Sequence, residues 1–235
     1  MSDNATPHKA ADYEQEVRRT IPMHDLLLDE AILIALAAVP RPGRWLDTGA
    51  GPGELTRRAR HALPSCEFSL ADPSEAMLAI AREKNPEIDP ARFFLAASAA
   101  LPDGPPFDVI TAVQCHHYGD GPARAAAVAR CFALLASPGA LVVFENVRAE
   151  TDVGHRMQRH RWAAWQRRQG RDDRAAAIAG AGRCGCPRFA VEQRGEYEWL
   201  CREAGTVAAV ESRDHGLKPR HCERNAAMPR VIARA

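Results

Sequence analysis

The run Leu46-Asp47-Thr48-Gly49-Ala50-Gly51-Pro52-Gly53 places glycine at every second position between a short apolar run and a helical segment. Glycines there permit positive φ and remove the Cβ atoms that would stand between the backbone and a ligand lying on it. Asp72 follows 19 residues after Gly53, at the end of the next apolar run. A carboxylate at that point can accept hydrogen bonds from both hydroxyls of a ribose. A dinucleotide wants G-x-G-x-x-G, because its pyrophosphate sits on the helix N-terminus. Here the third glycine comes one residue early and Glu54 stands where that pattern wants glycine. A carboxylate at the helix start repels a pyrophosphate but not a ligand carrying a sulfonium and an ammonium. A P-loop is excluded, because no Gly-Lys-Ser/Thr follows.

A second group with chemical potential is Gln114-Cys115-His116-His117-Tyr118, together with Glu145-Asn146. Imidazole titrates near neutrality, so His116 and His117 are candidates for a general base or for orienting an acceptor, against the plainer reading that one of them packs the strand end. Tyr118 can stack on a substrate or cover the core. Glu145 and Asn146 are polar groups emerging from an apolar strand, which is costly unless they are paired, and a binding role is expected for them.

Elements that alternate along the chain must hold these groups. Leu26 to Val39 reads as a buried helix, capped by Asp25 and stopped by Pro40. Strands are expected at Arg44–Asp47, Cys66–Ala71, Arg92–Ala96, Phe107–Gln114 and Ala140–Val147, the last after a break at Ser137-Pro138-Gly139. Helices are expected at Glu54–Ala62, Pro73–Lys84 and Pro122–Leu135. That alternation implies an α/β fold, a doubly wound, mostly parallel sheet with right-handed crossovers. Beyond Arg148 one or two helices are expected within 150–182 and another over Phe189–Ala204. Val207–Val210 and Val231–Ala233 are weak strand candidates around a polar run, 211–230, that shows no pattern.

LDTGAGPG, ADPSEAML, FDVITAVQCHHY and LLASPGALVVFENVR, in that order, resemble the motif series of class I S-adenosylmethionine-dependent methyltransferases, small-molecule members of the methyltransferase-domain type. The resemblance covers roughly residues 10–148. It implies S-adenosyl-L-methionine as cofactor, with Gly49, Ala50, Gly51 and Gly53 along its methionine portion and Asp47 orienting backbone amides and the ammonium. It further implies that Asp72 holds the ribose, that Pro73 and Met77 flank the adenine, and that Ala97, Ser98 and Gln114 complete the cofactor wall. The family often has Asp where Ala97 stands, so Ser98 replaces that contact only in part. Tyr13 to His24 resembles a lid segment, in which Tyr13, Arg18, Arg19 and His24 reach the cofactor or acceptor. The division expected is residues 1–24 as lid and 25–235 as the cofactor-binding domain, with a helical insertion over about 150–188.

Seven arginines between Arg156 and Arg174 surround Trp162 and Trp165, a combination that binds RNA by phosphate contacts and stacking. Asp172 and Asp173 dilute it, and a net charge of +1 on 235 residues gives no global pull toward polyanions, so nucleic acid is the less favoured partner. The tryptophans are expected to dock the helix or roof the acceptor pocket. Cys184-Gly185-Cys186 and His221-Cys222 do not make a zinc spacing, and no metal is expected. Seven cysteines without an apolar leader read as reduced thiols in a cytoplasm. Leu26 to Val39 is too short to cross a bilayer, so no membrane is expected. The leading expectation is therefore methyl transfer to a small-molecule acceptor. The alternatives are a tRNA or rRNA methyltransferase using the arginine-rich segment, and a non-catalytic cofactor-binding regulator. The oligomeric state is open, with a homodimer among the options.

Overall fold

A computed structural model describes residues 9–147, 149–171, 186–193, 197–203 and 206–212. Strands β1 (Arg44–Thr48), β2 (Glu67–Asp72), β3 (Phe93–Leu95), β4 (Phe107–Val113), β5 (Leu135–Val147) and β6 (Cys186–Gln193) form one sheet in the order β3-β2-β1-β4-β5-β6. The pairs among β1 to β5 are parallel, and β6 runs antiparallel to β5. Strands β7 (Tyr197–Glu203) and β8 (Thr206–Ser212) make a separate antiparallel pair. Strand order reverses between β1 and β4, which is where an open α/β sheet leaves a crevice beyond its carboxyl ends. β4 is buried through Val109–Ala112, as a central strand covered on both faces must be.

Helices α1 (Tyr13–Thr20), α2 (His24–Ala38), α3 (Glu54–Ala62), α4 (Glu75–Lys84), α5 (Gly121–Leu134) and α6 (Asp152–Arg168) complete the described elements. α2 buries Leu27, Leu28, Ala31, Ile32 and Ala35, a stripe at helical spacing. Its N-cap is Met23 in the left-handed region, not Asp25, whose carboxylate is taken by Arg18 and Arg58. α4 starts at Glu75, where Ser74 Oγ accepts from the Met77 amide at 3.2 Å. α5 is capped by Asp120, whose Oδ1 accepts from Ala123 at 2.9 Å. Ser137-Pro138-Gly139 does not break the chain before β5 but lies inside it, as a register shift against Phe107 and Val109 with a cis Ser137–Pro138 bond.

The helix expected over Phe189–Ala204 is absent: β6 and β7 stand there. Phe189 and Val191 alternate with other residues at period two in β6, which pairs with the edge of β5, and Tyr197 and Trp199 do so in β7, which pairs with β8. Spacing of Tyr197 and Leu200 by one helical turn is the weaker signal. Of the stretch 150–188 expected as a helical insertion, α6 is helical and the residues from Cys186 on are strand, while 172–185 lie outside the described residues. Val207–Val210 falls within β8, whereas Val231–Ala233, Cys184, His221 and Cys222 lie outside the described residues.

α6 docks on α1. Trp162 is buried in the core, Trp165 Nε1 donates to the Arg18 carbonyl at 3.4 Å, and Gln166 Nε2 donates to the Thr20 carbonyl at 3.3 Å. Arg171 reaches Glu16 at 2.6 Å, and Arg19 Nε reaches the Gln169 carbonyl at 3.2 Å. The tryptophans of the basic segment thus face inward.

Candidate active site

The loop between β1 and α3 turns on glycine. At Gly49 φ is +63°, and a Cβ there would lie 2.3 Å from Cys115 Cβ. The loop therefore reaches its place against the end of β4 only without a side chain. Gly51 donates its amide to Asp72 Oδ2 at 2.9 Å, and Ser74 donates to Asp72 Oδ1 at 2.9 Å. Asp72, the last residue of β2, so ties the loop to the start of α4.

Asp47 is buried, and its carboxylate accepts from Thr56 Oγ1 at 3.2 Å and Thr111 Oγ1 at 2.9 Å. No backbone amide of the described residues donates to it, so the expectation that it orients loop amides is corrected: two threonine hydroxyls hold it. Burial pushes its carboxyl up to about 7, with nearby Asp72 adding and the two hydroxyls opposing. Glu54 also differs from expectation. Arg57 and Arg58 bind it at 2.8–2.9 Å and hold its carboxyl down at about 2, so it is one half of an ion pair rather than a free anion at the helix start. Its charge therefore does not discriminate against a pyrophosphate as the sequence suggested.

A cavity of about 350 Å³ opens beyond the strand ends. Gly49, Gly51, Asp72, Pro73 and Met77 line one side, and Ala97, Ser98, Gln114, His116 and Tyr118 line the other. A smaller space of about 40 Å³ continues from it under α1, lined by Asp47, Ala50, Arg18 and His24, and shares Tyr13, Gly49, Gly51 and Gln114 with the larger one. Gly53 lines neither space; it sits at the N-cap of α3, where a Cβ would meet Asn85 Nδ2 at 2.8 Å. Cys115, part of the group at the β4 end, also lines the larger cavity, as do Arg124 and Ala127, which were not singled out from the sequence.

Gln114 has φ +57° and is 6% exposed, and neither its Oε1 nor its Nε2 has a partner among the described residues. Strained backbone and an unpaired buried amide are both costly and persist where a ligand uses them. His116 is buried, with Nε2 3.0 Å from Ser98 Oγ, which lies 2.8 Å from Thr48 Oγ1. Its Nδ1 has no partner among the described residues, and burial lowers its pKa, which favours the neutral imidazole. Ser98 is correspondingly occupied by Thr48 and His116.

His117 is not on the cavity wall. Its Nδ1 lies 2.6 Å from Glu145 Oε2, and its ring meets that of Tyr118 at 4.3 Å. Glu145 likewise turns away from the cavity, accepting from the His116 amide at 2.7 Å and the His117 amide at 2.8 Å. The binding role expected of Glu145 is thereby corrected, since its partners are backbone and His117. Asn146 does not line the cavity either. Cys115 Sγ, a His116 ring nitrogen and a Glu145 oxygen lie within 4.8 Å of one another, but the thiol already donates to the Thr48 carbonyl and the carboxylate already accepts from the His116 and His117 amides and contacts His117 Nδ1.

From α1, Tyr13 covers the loop, its ring 3.9 Å from the position of a Gly51 Cβ. Burial and the neighbouring Tyr118, Asp72 and Cys115 push its hydroxyl well above the usual range. Arg18 is paired with Asp25 at 3.0 Å. Burial holds His24 down at about 4, and its Nδ1 has no partner among the described residues.

A doubly wound sheet with a glycine loop at its switch point and an acid at the next strand end is the arrangement in which open α/β folds hold a nucleotide-derived ligand. Residues 46–139 match the family model described as a methyltransferase domain. The trans-aconitate 2-methyltransferase of Variovorax paradoxus (strain S110) is 34% identical over 149 residues, covering 63% of this chain and 51% of that protein. The chain thus spans about half the length of this curated relative. Among solved structures, the plantazolicin methyltransferase BpumL, in complex with a monoazolic desmethylPZN analog and SAH, matches with TM-score 0.55 at 13% identity, over 74% of this chain and 61% of that one. An O-methyltransferase family protein from Burkholderia thailandensis matches with TM-score 0.52 at 17% identity, over 68% and 54%. Each likeness is to a methyltransferase, and the family-model match is confined to residues 46–139.

Proposed function

We propose that the protein transfers the methyl group of S-adenosyl-L-methionine to a small-molecule acceptor. The observation that carries this reading is the unpaired, buried amide of Gln114 facing the same cavity as the side-chain-free glycine loop and Asp72. The residues fit the cofactor. Asp72 would hold the ribose, Pro73 and Met77 the adenine, and Gly49, Ala50 and Gly51 the methionine portion, with Asp47 and His24 beside its charged end. Bound, the cofactor supplies a methyl group on a cationic sulfur, open to in-line displacement. The chain's own work is then alignment and exclusion of water. Tyr13 and α1 act as the lid, held down by α6. His116, favoured in its neutral form and with no partner for Nδ1 among the described residues, is the wall residue able to take a proton when the acceptor arrives protonated.

Similarity to an enzyme named for trans-aconitate supports a small acid as acceptor, and Arg124 brings a guanidinium to the wall. The inward-facing Trp162 and Trp165 speak for small molecules over RNA, because neither ring is free to stack on bases. We read the protein as cytoplasmic; no helix among the described residues is long and apolar enough to cross a membrane.

Calorimetry with S-adenosylmethionine, S-adenosylhomocysteine and NADH tests the reading. Binding of the first two is expected, and Asp72→Ala should weaken it by about 1–3 kcal/mol through lost charge-assisted hydrogen bonds. Binding of NADH alone would overturn it.

A further inference from the structure

The polar group that emerges at the end of β5 serves the neighbouring strand instead of the ligand. Glu145 Oε1 accepts from the His116 amide at 2.7 Å, and Oε2 accepts from the His117 amide at 2.8 Å and contacts His117 Nδ1 at 2.6 Å. These three contacts close around the short 3-10 turn His116–Tyr118 that follows the strained Gln114. With Glu145 Oε2 as the acceptor, His117 donates from Nδ1, and in the neutral ring Nε2 then carries no proton. The turn is further tied back where the Gln114 amide donates to the Phe144 carbonyl at 2.7 Å. Its wall-facing members are Gln114, His116 and Tyr118, and Tyr118 rests on the His117 ring.

We propose that Glu145 and His117 are a positioning pair. Together they clamp the β4 turn from behind, set His117 in its Nδ1–H tautomer, and so place Gln114, His116 and Tyr118 against the bound cofactor and acceptor. His117 is then a positioning residue and not the general base that its sequence neighbourhood suggests. The inference rests on the methyltransferase reading for what the turn positions, but the clamp itself belongs to the chain alone.

Asparagine separates the two roles of His117, because its side-chain amide nitrogen takes the place of Nδ1 and keeps the donor, while nothing replaces Nε2. S-adenosylhomocysteine affinity by calorimetry should fall about tenfold in Glu145→Gln and in His117→Ala, the effect of one lost charge-assisted hydrogen bond. In His117→Asn it should stay within about twofold of the parent. Long-range 1H–15N correlation of the histidine side chains, assigned with His117→Asn, should show His117 protonated at Nδ1 and bare at Nε2 above neutral pH. Glu145→Gln should move the proton to Nε2 and raise amide exchange at His116 and His117 about tenfold. His117→Asn binding as weakly as His117→Ala would overturn the proposal, as would an Nε2–H tautomer in the parent or parent-like binding in Glu145→Gln and His117→Ala. Should Glu145→Gln fail to fold, Glu145→Asp with the same spectra takes its place. If the parent binds no S-adenosylhomocysteine, the functional reading fails, and the tautomer and exchange data still decide the clamp.

Discussion

The two walls of the cavity are built in different ways. On the side of the glycine loop the backbone does the work: three glycines turn the chain between β1 and α3, and the Gly51 and Ser74 amides on Asp72, with the cap at Ser74, fasten that loop to the β2–α4 junction 21 residues on. On the side of β4 and β5, side chains from separate strands hold a turn: Glu145 reaches 28 to 29 residues back to His117 and His116, and Ser98 reaches 18 residues forward to His116. A backbone-built wall leaves a dense sequence signature, because the residue types it needs stand next to each other. A wall built from distant side chains leaves isolated polar residues whose partners cannot be paired from sequence alone.

Gly49 is where the two walls touch, and breaking that joint should have the largest effect. A Cβ at Gly49 would lie 2.3 Å from Cys115 Cβ and 2.8 Å from its sulfur, on a backbone with φ +63°. Gly49→Ala should cost roughly 2–5 kcal/mol, from the left-handed conformation and the overpacking together. Urea unfolding followed by circular dichroism measures the loss. Combining it with Cys115→Ala does not clear the Cβ, so recovery should be slight. Full recovery in that double variant would mean that only the sulfur, and not the strand end itself, sets the approach of the two walls.

That contrast also explains what could be read from the sequence. The parallel sheet with its crossovers, the glycine loop and the placement of Asp72 follow from periodicity and turn chemistry, and the strand order then puts Gly49, Gly51, Asp72, Gln114 and His116 around one cavity, but not Gly53, His117, Glu145 or Asn146. The β6–β7 region differs from the helix expected because Tyr197 and Leu200 suggest a helix turn, while the pairing that decides the matter is with β5 for β6 and with β8 for β7. The orientation of Glu145 and His117 was illegible for the same reason. Asp47 was placed correctly at the strand end but given amide partners, whereas its real partners, Thr56 and Thr111, lie 9 and 64 residues away.

The comparison sharpens with pH, since the loop side holds a buried acid whose folded pKa is raised. For such a group the stabilising contribution is complete below the ordinary carboxylate range and is lost as pH rises through about 7. Asp47→Asn removes that loss. The melting temperature of Asp47→Asn relative to the parent should therefore climb between about pH 5 and pH 8. Taking the difference between the two proteins cancels His24, whose lowered pKa has the opposite sense: stability there is lost as pH falls from its ordinary value toward about 4. A difference that is flat over this range would mean that Asp47 is ionised throughout, with a cation supplied from elsewhere in the chain.

The smallest effect belongs to the strap over the loop wall. Arg171 bonds Glu16 at 2.6 Å and Thr20 Oγ1 at 3.1 Å, with side chains 20% and 27% exposed in the ion pair. A partly exposed pair of this kind is screened by water and salt and contributes less than about 1 kcal/mol. Arg171→Ala should accordingly leave the melting temperature nearly unchanged. It should act on α1 instead, because Tyr13, at the other end of that helix, covers Gly51 and lines both spaces of the cavity. Loosening the strap should raise the off-rate of S-adenosylhomocysteine by a few-fold in stopped-flow fluorescence, less than about tenfold, and the difference from the parent should shrink as salt is added. Gln166 makes the same connection from a fully buried position, through its amide to the Thr20 carbonyl. Gln166→Leu should therefore show a similar rise that salt does not alter. An equal salt response in both variants would place the strap's hold in overall charge rather than in these two contacts.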